Sequence, residues 1–271
     1  MAERLRLDIL VWQRGLAPSR SQAQALVLAG AIAVEGKCIT QAGTMVSPQA
    51  DLTRLKPANR YVSRGGDKLA AALDAFDLQV HNRIALDVGA STGGFTDCLL
   101  QAGAQRVYAV DVGYGQLHWR LRTDERVVVY ERTNARYLTP QDLPEAAEVL
   151  TIDASFISLR LLLPTLVNLL APNADVITLI KPQFEVGKGQ VGKGGVVRDR
   201  DQHAQALLDV LSGAQDCGLG VRGAVVSPLL GPKGNREFLA HCGLGAAALT
   251  PSALQEMCAQ LAFEAGMSRS K

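Results

Sequence analysis

Cysteine is scarce and scattered. The five residues Cys38, Cys98, Cys217, Cys242 and Cys258 form no Cys-x-x-Cys pair. That argues against a disulfide scaffold and structural zinc, and makes a reducing cytoplasm the expected compartment. The four histidines, His81, His118, His203 and His241, are equally dispersed, so no metal site is expected. Long apolar runs are also missing. The longest charge-free one covers residues 25–34 and is broken by Gly30, whereas a membrane-spanning helix needs about 20 residues. The start, Met1-Ala2-Glu3-Arg4-Leu5-Arg6, carries an acid and lacks the apolar core of a secretory signal. Net charge is small, +2 from 28 Lys+Arg and 26 Asp+Glu. With 48% apolar and 20% charged residues, a mostly disordered chain is excluded, and 271 residues allow one large domain or two smaller ones.

The small net charge conceals an asymmetry. Residues 1–68 hold ten Lys+Arg and five Asp+Glu; residues 69–271 hold eighteen and twenty-one. A basic N-terminal module suits a polyanionic partner, although the same count fits a solvated basic surface. Its pattern is specific. Leu7, Leu10 and Val11 recur at helical spacing and Gly15 can close that helix. Ser19 precedes Gln22 by three, a capping box for a second helix ending at Gly30. Residues 31–34, Glu35-Gly36 and residues 37–39 read as a strand, a tight turn and a returning strand. Residues 51–64, with Pro57 and Asn59, read as a connection, the linker proper being 59–64. The string Arg6-Leu7-Asp8…Gly15-Leu16…Ser19-Arg20…Ala23…Leu26…Gly30…Val34-Glu35-Gly36 resembles the S4-type RNA-binding domain of ribosomal small-subunit protein, pseudouridine synthases and tyrosyl-tRNA synthetases. This resemblance, assigned to residues 1–58, implies RNA binding. The candidate RNA contacts are Arg4, Arg6, Arg20 and Lys37, with Arg64, Lys188 and Lys193 farther along the chain.

Residues 83–181 alternate between strand-like and helix-like segments. Strands are expected over 83–88, 106–111, 127–131, 149–153 and 176–181, with helices over 92–102 and 159–171. Residues 221–227 and 238–241 would extend the sheet, and 252–263 would form a last helix. That alternation predicts an α/β domain with a parallel sheet covered on both faces. Ligands of such sheets sit at the carboxyl ends of the strands. The first strand runs into Asp87-Val88-Gly89-Ala90-Ser91-Thr92-Gly93-Gly94-Phe95, a glycine-rich turn feeding a helix N-terminus. Asp111 ends the second strand, 22 residues after Gly89, where a carboxylate can take both hydroxyls of a ribose. Asn134 follows the third strand and can meet an adenine edge. The pocket therefore suits an adenosine-containing cofactor. The loop is not the Gly-x-Gly-x-x-Gly of dinucleotide enzymes. Asp-x-Gly-x-x-x-Gly-Gly is similar to the first motif of S-adenosylmethionine-dependent methyltransferases. The candidate cofactor residues are Asp87, Gly89, Ala90, Ser91, Thr92, Gly93, Phe95, Asp111, Asn134 and Asp153.

Gly187-Lys188-Gly189-Gln190-Val191-Gly192-Lys193 fits the ATP-loop spacing, but Gly194 stands where the Mg²⁺-binding Ser or Thr is needed. A basic, glycine-rich substrate loop fits residues 187–200 better. Four polar residues fall where chemistry would occur: Lys68 before a helix, Asp153 after the fourth strand, Lys181 after the fifth, and Glu237. A lysine closing an apolar strand is partly desolvated, which suits a general base. From spacing alone, two structural salt bridges fit equally well.

Ser63-Arg64-Gly65, residues 87–96, 111–117 and 131–136, Ser155-Phe156-Ile157-Ser158 and residues 181–192 resemble the TlyA, or hemolysin A-like, family of ribosomal RNA methyltransferases almost end to end. Arg60-Tyr61-Val62 departs from the Arg-x-Trp-Val of some members. The resemblance implies an FtsJ-like, Rossmann-like methyltransferase domain over residues 65–271 that uses S-adenosylmethionine. It implies a catalytic Lys68–Asp153–Lys181–Glu237 tetrad acting on a ribose 2′-hydroxyl, a cytidine of 23S and also 16S rRNA. The expected partners are ribosomal RNA and ribosomal subunits, not DNA or a membrane. Two other readings are a cytolysin, which the family's second name suggests, and a non-catalytic assembly factor. The absence of a span argues against the first; the intact tetrad and glycine loop argue against the second.

Overall fold

The computed structural model describes residues 4–267 except 29, 56–59, 188, 190 and 193. Its chain divides into two compact units, Met1–Arg60 and Tyr61–Lys271.

In the first unit, β1 (Leu5–Arg6) pairs antiparallel with β4 (Met45–Val46). Helices α1 (Leu7–Gln13) and α2 (Arg20–Leu28) stand between them in sequence. Gly15 takes φ +71 just past α1, and the Ser19 hydroxyl accepts the Gln22 N–H at 3.2 Å, so both helix signals act as the sequence indicates. The three-stranded sheet runs β3 (Lys37–Cys38), β2 (Ile32–Val34), β5 (Leu52–Arg54). Strand β5 lies in the stretch expected to be a connection. The turn Glu35-Gly36 has φ +49 and +74, the left-handed pair that joins hairpins. Glu35 is an unusual residue for that conformation, and its Oε1 accepts the Asp51 N–H at 2.9 Å. Leu7, Leu10, Val11, Ala23, Val27 and Ile32 fill the core.

The second unit is a seven-stranded sheet between helices. Its strands are β6 (Ile84–Val88), β7 (Arg106–Val110), β8 (Val127–Tyr130), β9 (Ala147–Ile152), β10 (Leu170–Ile180), β11 (Leu219–Val226) and β12 (Phe238–Leu244), in the order β11-β12-β10-β9-β6-β7-β8. Strands β8 to β10 in that order are parallel; β12 runs antiparallel to both β10 and β11. The expected parallel sheet is present as five parallel strands extended by an antiparallel hairpin.

Strand alternation divides the core cleanly. Leu86, Val88, Tyr108, Val110, Leu150, Ile152, Val176, Ile180 and Phe238 face one layer. Helices α8 (Arg200–Asp216) and α9 (Pro251–Met267) cover that layer. Ala85, Val107, Ala109, Val149, Ile177, Leu179 and Leu239 face the other, under α3 (Gly65–Ala75) and α4 (Gly94–Gln101). Three short helices complete the unit: α5 (Trp119–Arg122), α6 (Leu163–Leu166) and α7 (Pro182–Glu185).

The structure departs from the expected pattern at three places. The helix expected over 159–171 is broken into α6 flanked by 3-10 turns at Leu159–Leu161 and Val167–Leu169, and β10 already starts at Leu170. Its leucines do recur at helical spacing, but tighter turns satisfy the same burial of Leu159, Leu162, Leu163, Leu166 and Leu169. The 17-residue α8 was not anticipated. Residues 61–64 do not form a free linker: Tyr61 is buried against Gly66, and the Val62 N–H donates to Asp97 Oδ2 at 2.8 Å. No helix among the described residues is long and apolar enough to cross a membrane.

Candidate active site

The parallel strands release their chains at one edge of the sheet, and the strand order reverses between β6 and β9. The loop after β6 crosses that point. Gly89 and Ala90 both donate N–H bonds to Val110 O, at 2.9 and 3.1 Å. Gly89 has φ +85, and a Cβ there would lie 2.5 Å from the Asp153 carbonyl oxygen. Only glycine lets the loop come this close to the end of β9.

Two adjoining cavities open at this edge. The larger, about 600 Å³, is lined by Lys68, Asp153, Lys181 and Glu237 together with Arg64, Ala90, Thr92 and Phe95. The second, about 480 Å³, is lined by Asp111, Gln116, Thr133 and Asn134. Gly89, Ser91, Asp153, Ser155 and Phe156 belong to both walls.

The sheet explains why the four charged residues meet. Asp153 and Lys181 follow Ile152 and Ile180, and Glu237 precedes Phe238; all three apolar neighbours face the α8–α9 layer. Alternation turns the three charged side chains to the opposite face, where α3 carries Lys68 in its first turn. Ile180 pairs with Phe238, so the antiparallel direction of β12 sets Glu237 beside Lys181 at the same edge. Helix α3 approaches closely because Gly94 has no side chain: a Cβ there would lie 2.2 Å from Ser63 Oγ and 2.9 Å from Gly66 N.

The residues pair two by two. Lys68 Nζ donates to Glu237 Oε2 at 2.5 Å, and Glu237 is 1% exposed. Lys181 Nζ lies 2.6 Å from Asp153 Oδ1 and donates to Ser155 Oγ at 2.9 Å. Glu237 Oε1 is buried with no hydrogen-bond partner, as are Gln183 Oε1 and, despite its ion pair, Asp153 Oδ1. Gly231 stands behind Glu237, where a Cβ would overlap its carboxylate. Glu185 anchors the facing loop, accepting from Ser158 Oγ at 2.6 Å and Leu159 N at 3.0 Å; burial pushes its carboxyl above the usual range.

In the second cavity the Asp111 carboxylate is held from two sides. Asp111 Oδ2 accepts the Ser91 N–H at 2.8 Å and Oδ1 the Gly113 N–H at 2.7 Å. These two bonds fix the carboxylate and leave lone pairs for a diol. Among the described residues, no group of three or more His, Cys, Asp or Glu converges as a metal site.

The S4 domain family matches residues 5–52, and the FtsJ-like methyltransferase family matches residues 61–244. The chain belongs to the FtsJ-like methyltransferase family. It is 50% identical over 239 residues to the 16S/23S rRNA (cytidine-2′-O)-methyltransferase TlyA of Mycobacterium tuberculosis, covering 88% of this chain and 89% of that one. A solved structure from Streptococcus thermophilus that carries a hemolysin name has 40% identity and TM-score 0.74, with all of both chains covered. A Listeria monocytogenes structure named for S-adenosylmethionine-dependent methyl transfer shares the fold alone, at 12% identity and TM-score 0.50, over 65% of this chain and 99% of that one.

Two residues of the glycine-rich loop lie outside both cavity walls. Asp87 lines neither large cavity. Two positions after Ala85, it shares that residue's face and points toward α4, where it is fully buried and accepts from Thr96 Oγ1 at 2.6 Å and Thr151 Oγ1 at 2.9 Å. Burial pushes its carboxyl up to about 6, the two hydroxyls opposing and nearby Asp153 adding to the rise. Asp87 therefore braces the loop from beneath. Gly93 also lines neither cavity; at φ +95 it lets Leu121 and Leu117 pack where a Cβ would sit. Asn134 lines the second cavity, its side chain accepting the Arg136 N–H at 3.1 Å. Ser155, Gln116, Lys233 and Asn235 line the cavities without having been singled out. Ser155 stands two positions after Asp153, which was the available signal; Lys233 and Asn235 precede Glu237 in the same way.

Among the RNA-contact candidates of the S4 unit, Arg4 and Lys37 are exposed. Arg6 and Arg20 are held on Asp8, which is 1% exposed: Arg6 Nε and Nη2 lie 3.0 and 3.1 Å, and Arg20 Nε 3.4 Å, from its oxygens. The Arg6 guanidinium holds the Asp8 carboxyl below the usual range. Lys188 and Lys193 lie outside the described residues.

Proposed function

We propose that this methyltransferase transfers a methyl group from S-adenosylmethionine to the 2′-hydroxyl of a cytidine ribose in 23S rRNA, with 16S rRNA as a second substrate. The observation that carries the reading is the shared wall. Asp153, Gly89 and Ser91 separate a cavity with a ribose-type carboxylate, Asp111, from one lined by two lysines in ion pairs. The cytidine-2′-O-methyltransferase name of the Mycobacterium tuberculosis relative supports the same chemistry.

The residues divide the work. Asp111 takes the ribose hydroxyls, Asn134 meets the adenine edge, and the Gly89 turn lets the backbone close on the ligand. S-adenosylmethionine, when bound there, supplies a methyl group activated by its sulfonium. Lys181 Nζ draws the proton from the 2′-hydroxyl, with Asp153 and Ser155 fixing its position. To act so, Lys181 first releases a proton of its own. Lys68 stabilises the developing alkoxide, and Glu237 holds Lys68. The target nucleotide has to leave its stack to reach this depth. Phe156, 91% exposed with φ +65 and 5.1 Å from Phe184, stands at the mouth.

The S4 domain supplies the ribosomal RNA anchor through Arg4 and Lys37, and the protein works in the cytoplasm on ribosomal subunits. Incubating the purified protein with labelled S-adenosylmethionine and separated subunits, then mapping the product, tests the proposal. Label in a 2′-O-methylcytidine is expected; label only in bases, or none in any rRNA, overturns it.

A further inference from the structure

Five arginines of the methyltransferase unit form ion pairs with carboxylates of the fold: Arg83 and Arg222 with Asp175, Arg106 with Glu145, Arg122 with Glu131, Arg126 with Asp124. Arg198, Arg200 and Arg236 differ. Among the described residues their side chains make no ion pair and no hydrogen bond; Arg200 lies over the Phe263 ring at 5.3 Å. The three meet in a separate cavity of about 120 Å³, completed by His203, Gly234 and Gly266, with no carboxylate in its lining.

Three guanidinium groups gathered around a concavity whose lining carries no carboxylate present their donors to an anion. We propose that this cavity binds a phosphate group of the RNA backbone beside the target nucleotide; the proposal rests on the RNA methyltransferase reading above. Guanidinium donors match phosphate oxygens in pairs, which a lysine ammonium cannot do. The volume is one-fifth that of the tetrad cavity, too small for a nucleoside and suited to a single oxyanion.

Its place in the chain ties it to catalysis. Lys233, Asn235 and Glu237 face the tetrad cavity, while the intervening Gly234 and Arg236 face the small one. The turn at Pro232–Gly234 and the residues that follow it thus present one side to each site. Asn235, 2% exposed, fastens the basic loop to this segment: its Oδ1 accepts the Val197 N–H at 3.0 Å and its Nδ2 donates to Gly195 O at 2.9 Å. Arg198 follows directly. Gly266 belongs to the same design. A Cβ there would lie 2.5 Å from Arg200 Nε, so glycine is kept inside α9 at the expense of helix propensity. A phosphate seated here sets the register of the strand without reading its sequence.

The test uses the full-length protein and two probes, inorganic phosphate and purified 23S rRNA. Phosphate titrated against the wild type should shift the backbone amide signals of Gly234 and Gly266, and Arg198→Gln/Arg236→Gln should abolish the shift. The same variant should bind 23S rRNA about tenfold more weakly, the factor of one charge-assisted hydrogen bond. Its log–log salt slope should fall by about 0.7–0.9, one phosphate contact. Arg198→Lys, which keeps the charge, should keep the slope. Absence of the amide shifts, or equal shifts in the variant, overturns the site. Loss of the shifts with unchanged RNA affinity and slope overturns the RNA assignment and identifies a free-phosphate site. Failure of the broader reading is separate: the wild type would methylate no rRNA while the phosphate titration still reports on the pocket.

Discussion

Asp87→Asn is expected to stabilise the protein at neutral pH and not at acid pH. The carboxyl is fully buried, and its ordinary value of 3.8 is pushed up to about 6 because burial outweighs the two threonine hydroxyls that stabilise the charge. A carboxyl raised in the folded state stabilises the fold below its unfolded value and loses that contribution as pH rises through the folded one. Carrying it from 3.8 to about 6 corresponds to about 3 kcal/mol. Asparagine is nearly isosteric, keeps one acceptor for a threonine hydroxyl, and can donate to the other, so it removes the buried charge without opening a cavity. Urea unfolding of wild type and variant at pH 4.5 and pH 8 reads the difference. The variant should gain about 2–3 kcal/mol relative to wild type between the two conditions. A difference that does not change with pH would refute the reasoning, and a variant markedly weaker at pH 8 would show that the charge itself holds the loop.

Gly89→Ala should lower stability by more than the ~1–2 kcal/mol of a left-handed alanine, because its Cβ meets the Asp153 carbonyl, and should abolish methyl transfer; thermal melting and a methylation assay check it. Asp111→Ala should weaken S-adenosylmethionine binding by calorimetry, since a charge-assisted bond contributes about 1.5–3 kcal/mol, and unchanged affinity would remove Asp111 from the site. Arg4→Gln/Lys37→Gln should reduce the salt slope of RNA binding by about 0.7–0.9 per lost phosphate contact without a change in melting temperature. Arg6→Gln should lower the melting temperature, because it strips the buried Asp8 of a partner.

Much of this arrangement is readable in the chain because local rules suffice. The parallel strands appear within a few residues of their expected bounds, except the early start of β10, since Val- and Ile-rich runs bounded by turns admit few alternatives. The residues flanking the β9 and β10 ends, Asp153 and Lys181, share a cavity wall with Lys68 and Glu237. What stays hidden depends on partners distant in sequence. No local signal gives β12 its direction, yet that direction decides whether Glu237 lies beside Lys181 or at the opposite edge. The face on which Asp87 points follows from the register of β6, so a motif residue expected at the ligand becomes a brace. The capture of Arg6 and Arg20 by Asp8 needs the α1–α2 packing. Helix α8 did announce itself, because Asp199 accepts the Gln202 N–H at 2.9 Å in the same spacing as Ser19 and Gln22. Reading residues 187–200 as one loop obscured that cap.

The central claim is that Lys181 takes the proton from the 2′-hydroxyl. Lys181→Arg keeps a cation near Asp153 but cannot readily give up a proton. The decisive measurement is single-turnover methyl transfer to saturating ribosomal RNA from pH 6 to 10, for wild type and Lys181→Arg, with cofactor affinity measured alongside. Retained cofactor binding is expected, with a variant slower than wild type by about 10²–10⁴-fold across that range. A Lys181→Arg rate close to that of wild type, with the same pH dependence, would contradict it.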